Sequence, residues 1–221
     1  MFLLTIGKGS LNKSIFCTLV KVTRLNRVQK RINVGILIFD DVEVLDFAGP
    51  YEVFSIAEST ASQKLFNVFT IAACKNPIFA RNGLQVIPTF TFNDDINIDI
   101  LVVPGGYGAE TIQYKNEELI NWIIEKDKNT IITASVCTGA IILAETKLLD
   151  NKKATTHWMD LERLRKDYPL IDVVDQKFVE AGKIVTSGGI SAGINMSLYI
   201  IQKLFGIEIS DNTAKRMDYD I

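Results

Sequence analysis

The 221-residue chain contains one histidine, His157, and three cysteines, Cys17, Cys74 and Cys137. One imidazole is too few for most zinc sites, and cysteines this far apart form neither a metal-ligand pair nor a disulfide framework. No apolar run approaches the roughly 18 residues of a membrane span. Neither G-x-x-x-x-G-K-S/T nor G-x-G-x-x-G occurs, so no phosphate loop of either kind is present. A net charge of −2 offers nothing to attract nucleic acid or an anionic membrane. Acidic residues are missing altogether from residues 1–31, which hold seven basic ones. The remainder carries 17 basic against 26 acidic residues, a net −9.

Such an acid-free, Ser/Thr-containing leader has the composition of an organellar transit peptide, but it lacks a clear amphipathic period or cleavage signal. The expectation is a poorly ordered extension over residues 1–31 of a cytoplasmic protein. Residues 32–221 then form a single domain. With 48% hydrophobic and 23% charged residues, the chain has the composition of a globular protein able to bury a sizeable core.

From residue 33 apolar runs and helical patterns alternate. Asn33–Phe39, Phe66–Ala73, Ile98–Val103 and Thr130–Ser135 read as strands, the apolar ones buried on both faces. Pro50 suits a first helical position, predicting a helix over Tyr51–Glu58. Helices are also predicted over Glu110–Lys126, Thr138–Ala144, near 158–167, and over Ile190–Phe205. Asn82-Gly83 suggests a hairpin within 78–92, and further short strands fall at Lys153–Thr156 and within 171–186. This alternation implies an α/β fold: a three-layer sandwich with a mainly parallel sheet and helices on both faces.

Ligands in such sheets bind in the loops after the strands. Four loops stand out: Asp40–Pro50, Pro104–Gly108, Ser135–Gly139, and Thr186–Gly193, which includes Gly189. In the third, a strand runs into Cys137 and a helix starts at once, the layout of a nucleophile elbow with cysteine in place of serine. The helix N-terminus is expected to depress the thiol pKa. A buried structural thiol is the alternative. Gly105 and Gly106 follow a neighbouring strand; their amides and that of Thr138 could form an oxyanion hole, although Gly-Gly also suits a simple turn. Asp46, between Leu45 and Phe47, reads either as a helix cap or as a carboxyl sharing a proton with Cys137. His157 is either a pocket residue or a histidine satisfied by local hydrogen bonds.

The segments LDFAGPYEVF, DILVVPGGYG, SVCTGAIILAETKLLDNKKATTHW and TSGGISAGINMSLYI together resemble the DJ-1/PfpI superfamily, and within it the isocyanide (isonitrile) hydratases. The similarity spans about residues 33–207. It implies a flavodoxin-like sandwich of the class I glutamine amidotransferase-like type, usually a homodimer, with no metal or organic cofactor. Cys137 matches the hydratase nucleophile, Thr138 its neighbouring threonine, and Asp46 the carboxylate that contacts the nucleophile. The implied reaction hydrates a small isocyanide to an N-substituted formamide through a Cys thioimidate, with Asp46 as acid and base. Peptidases and amidotransferases of the superfamily place histidine directly after the cysteine. Here that position is Thr138, which argues against peptide or amide hydrolysis. The same resemblance implies two alternatives, a glyoxalase or deglycase and a redox or stress sensor, each using Cys137. Similar motifs also occur in AraC-like regulators, but the 16 residues after Phe205 are too few for a helix-turn-helix region. The core domain alone is expected.

Overall fold

The computed structural model describes residues 30–220, so the expected extension lies almost wholly outside the described residues. The chain runs through β1 (Ile32–Leu37), α1 (Val44–Ile56), β2 (Phe66–Ala72), β3 (Ile78–Phe79), β4 (Gln85–Val86) and β5 (Phe90–Thr91). It continues through β6 (Ile100–Val103), α2 (Tyr107–Thr111), α3 (Glu117–Asp127), β7 (Ile132–Val136) and α4 (Gly139–Glu145). The last part comprises β8 (Lys153–Ala154), α5 (Leu161–Asp167), β9 (Asp172–Val173), β10 (Phe178–Ala181), β11 (Ile184–Ser187), α6 (Ala192–Phe205) and α7 (Ile207–Arg216).

Seven strands form the central sheet in the order β10-β11-β7-β6-β1-β2-β5, parallel except for the β10–β11 edge pair. Every residue of β6 and β7 is buried, which is why both read as unbroken apolar or small-residue runs. Helices cover both faces: α1 packs with α6 and α7, while α4 packs with α2 and α3. Among the described residues no helix is long and apolar enough to cross a membrane.

The topology also places the site. From β1 the chain builds outward through β2 and β5, then returns to lay down β6, β7 and β11 on the other side. The order therefore reverses between β1 and β6, where a crevice opens beyond the strand ends. Register pairs such as Val34↔Ile100 and Ile100↔Ile132 bring the ends of these strands level. The loops after β1, β6, β7 and β11 consequently meet.

Three expectations need correction. Helix α1 starts at Val44, so Pro50 lies in its interior rather than at its first position. Proline has no N–H to donate to the carbonyl of Asp46, four residues back. The helix predicted over Glu110–Lys126 is broken: α2 ends at Thr111, a 3-10 turn spans Gln113–Lys115, and Asn116 starts α3 by accepting the Leu119 N–H at 3.2 Å. Helix α7 was not anticipated. Gly206, at φ 94°, ends α6, and α7 folds back to bury Ile209 and Ala214. The hairpin reading at 78–92 holds for β3 and β4, with Asn82 and Gly83 both at positive φ.

Candidate active site

Cys137 follows β7 directly and begins the turn into α4 with φ 57°. A side-chain-bearing residue there costs about 1–2 kcal/mol, so surrounding bonds must hold it. Its N–H is shared between the carbonyls of Ser187 at 3.1 Å and Gly188 at 3.2 Å. Its carbonyl accepts from the Thr156 hydroxyl at 2.9 Å and from the Ala140 N–H at 3.3 Å. The turn has the strained elbow geometry that its sequence layout suggests, with the residue only 7% exposed.

Asp46 sits in the first turn of α1, inside the helix rather than before it, and is fully buried. Its Oδ2 accepts the Gly105 N–H at 3.0 Å, tying α1 to the loop after β6. Oδ1 is buried without a hydrogen-bond partner, and the Cys137 thiol is close enough to interact with the carboxyl. Burial pushes the Asp46 carboxyl up to about 7, opposed by the Gly105 N–H and reinforced by nearby Glu43. Burial and then the Asp46 carboxylate raise the Cys137 thiol well above its ordinary range, outweighing the Thr138 N–H directed at it. A depressed thiol pKa is therefore not what the elbow produces, because desolvation and a buried negative neighbour outweigh the turn's N–H groups. The two groups form a coupled pair that retains one proton across neutral pH.

The loop after β6 closes this unit. Gly106 has φ 120°, and an added Cβ would lie 2.3 Å from the Glu43 nitrogen, so glycine alone fits. Its N–H donates to the Thr138 hydroxyl at 2.9 Å. The three amides considered as oxyanion donors are thus directed at the site's own groups: Gly105 to Asp46, Gly106 to Thr138, and Thr138 to the Cys137 sulfur.

Cys137 and Thr138 line a cavity of about 320 Å³. His157 forms part of its wall, with Nδ1 accepting the Met159 N–H at 3.4 Å. Gly189 lets His157 and Cys137 come together, since a methyl there would lie 2.6 Å from His157 Cδ2 and 2.7 Å from Cys137 Sγ. The structure therefore gathers Cys137, Asp46, Thr138, Gly105, Gly106, His157 and Gly189 into one neighbourhood. Sequence reasoning missed four charged residues of the cavity, Glu43, Arg81, Glu110 and Asp160. They come from four separate segments: Glu43 falls in the Asp40–Pro50 loop but was not singled out there, and the other three belong to no recognisable motif. Among the described residues no three His, Cys, Asp or Glu side chains converge as metal ligands.

The DJ-1/PfpI family model matches residues 32–203. The chain belongs to the DJ-1/PfpI family. An isonitrile hydratase from Pseudomonas putida is 33% identical over 190 residues, covering 85% of this chain and 78% of that protein. The HTH-type transcriptional regulator CdhR of Pseudomonas aeruginosa is 26% identical, and the match covers 81% of this chain and 53% of the regulator. A ThiJ/PfpI family protein from Pseudomonas syringae shares the fold with TM-score 0.77 and 23% identity, over 90% of this chain and 80% of that one. Drosophila melanogaster DJ-1beta shares it with TM-score 0.74 and 17% identity, over 87% of this chain and all of that one. Within this DJ-1/PfpI domain, the family match covers all seven residues gathered around the cavity.

Proposed function

We propose that the protein is a cysteine-dependent hydratase that converts small isocyanides to N-substituted formamides. The observation that carries this reading is the fully buried Asp46 carboxyl, with Oδ1 unpartnered beside the Cys137 thiol. An isocyanide is hydrated by addition of both a nucleophile and a proton to the same carbon. A thiol and an acid facing one point suit that requirement. The 33% identity to an isonitrile hydratase supports the same chemistry.

In the proposed sequence the Asp46 carboxylate takes the thiol's proton as the Cys137 sulfur, facing the Thr138 N–H, attacks the terminal carbon. Asp46 delivers its proton to that carbon, giving a thioimidate, R–N=CH–S–Cys137. The carboxylate then takes a proton from water as the oxygen adds to the same carbon. Asp46 passes that proton to the nitrogen, and as collapse breaks the C–S bond and returns the thiolate the hydroxyl proton goes back to Asp46, releasing R–NH–CHO. The balance is one isocyanide and one water to one formamide. Thr138 and Gly105 hold the two reacting side chains in place.

Small alkyl and aryl isocyanides, assayed by the formyl proton signal in NMR, should be consumed by wild type and untouched by Cys137→Ala. Formamide production by Cys137→Ala, or lactate from methylglyoxal with no formamide from any isocyanide, overturns the reading. The reading extends to a cytoplasmic homodimer acting on a free small molecule. Sedimentation as a monomer at micromolar concentration would contradict the dimer.

A further inference from the structure

The reaction just described leaves the charged side chains of the cavity without a role. Glu43 is matched by Arg81 at 3.0 Å. Glu110 and Asp160 have only longer contacts, to Arg163 and His157. Arg163 lies 3.9 Å from Glu110 but is divided between it and Asp167, at 3.7 Å. Asp160 approaches His157 Nδ1 only at 3.8 Å, beyond hydrogen-bond distance. The cavity lining thus carries three carboxylates, Glu43, Glu110 and Asp160, against one arginine, Arg81.

These two carboxylates act on each other and on the reaction centre. After burial, the Asp160 charge is the main influence holding the Glu110 carboxyl above its ordinary range. Asp160 also adds to the upward push on the Cys137 thiol, so its field reaches the sulfur. The Asp46–Cys137 pair contributes further negative charge behind the cavity as it loses its first proton. That the cavity serves a ligand rests on an independent observation: Asp46, fully buried, holds Oδ1 without a hydrogen-bond partner next to the thiol that lines it. A surplus of negative charge around a narrow, partly desolvated approach selects incoming molecules by charge.

We propose that Glu110 and Asp160 are specificity-determining residues that admit electrophiles bearing a cationic group to Cys137 and turn away those bearing an anionic one. The proposal rests on the cavity over Cys137 being the substrate entrance, as the hydratase reading requires. It names a substrate class within that reading, small isocyanides with a positively charged substituent away from the reacting carbon.

The test separates the charge filter from the hydratase chemistry by reading thiol access directly. In a Cys17→Ser/Cys74→Ser background, Cys137 is labelled with two methanethiosulfonate reagents, one carrying trimethylammonium and one carrying sulfonate. Rates are followed by intact mass and normalised to those of 2-mercaptoethanol. The normalised cation-to-anion ratio should exceed about five in wild type at low ionic strength, the scale set by one adjacent unit charge in water. It should approach one in Glu110→Gln/Asp160→Asn, and in wild type at about 1 M salt, where the screening length falls to about 3 Å. A ratio at or below one in wild type overturns the proposal. So does a ratio unchanged in the double variant, or failure of the cationic reagent to label Cys137. A high ratio without formamide production from any isocyanide keeps the filter and removes the hydratase reading. Within the hydratase reading, turnover of a trimethylammonium-substituted isocyanide should exceed that of a carboxylate-substituted one, and the preference should disappear in the double variant.

Discussion

Replacing Asp46 by asparagine removes a proton carrier and a buried charge while keeping size and shape, and the two losses move observables in opposite directions. The Asp46 carboxyl titrates at about 7 in the folded protein against an ordinary 3.8. Between these values the unfolded chain has released the proton and the folded chain still holds it. Stability is therefore full below about pH 4 and falls as pH rises through 7. A raised pKa of about three units corresponds to up to about 4 kcal/mol of lost stability above neutrality. For a domain of this size that is roughly 10 °C in Tm. Calorimetry from pH 4 to 8 should show the Tm of Asp46→Asn gaining on wild type as pH rises, whatever constant offset the amide introduces. Without the carboxylate, the Cys137 thiol pKa should fall by more than about one unit, since neighbouring unit charges interact by several kcal/mol in a partly buried site. Cys137 should alkylate faster at neutral pH while formamide turnover drops about 10²–10⁴-fold, the usual contribution of a positioned acid-base group. A Tm difference that stays constant across the pH range, or slower alkylation, would refute the coupled-pair argument.

Two further substitutions test the geometry. Gly189→Ala places a methyl 2.7 Å from Cys137 Sγ and 2.6 Å from His157 Cδ2. Both are side-chain atoms that can yield, so circular dichroism should show a retained fold, while displacement of the sulfur lowers turnover roughly a hundredfold. Thr156→Val removes the hydroxyl donated at 2.9 Å to the Cys137 carbonyl and leaves a buried acceptor less satisfied. Stability should fall by about 1–3 kcal/mol in urea unfolding, and Thr156→Ser should restore it.

The elbow was legible in the sequence because strand, nucleophile and helix are contiguous there, and periodicity alone marks the change from β to α around Cys137. Residue order likewise exposed the parallel sheet, since strands buried on both faces need apolar runs. Interactions between segments were harder to read. Asp46 lies 91 positions before Cys137, and nothing local says that its carboxyl would be fully buried against the thiol and reverse the expected pKa shift. Pro50 misled because a proline that normally opens a helix here lies inside one. The apolar spacing across 110–126 continued past Asn116, whose capping bond to the Leu119 N–H separates two helices. Glu43, Arg81, Glu110 and Asp160 gave no signal, as ordinary surface charges have the same local appearance.

Position 137 is where the demands of folding and of chemistry part. Glycine reaches φ 57° freely, whereas cysteine there costs about 1–2 kcal/mol. A lineage selected only for persistence would drift toward glycine at this turn, trading the thiol for a more durable fold. Under the proposed hydratase reading, that strain is the cost of holding a thiol at this turn. On that reading, copies of the domain released from selection on activity would be expected to lose the cysteine before the fold.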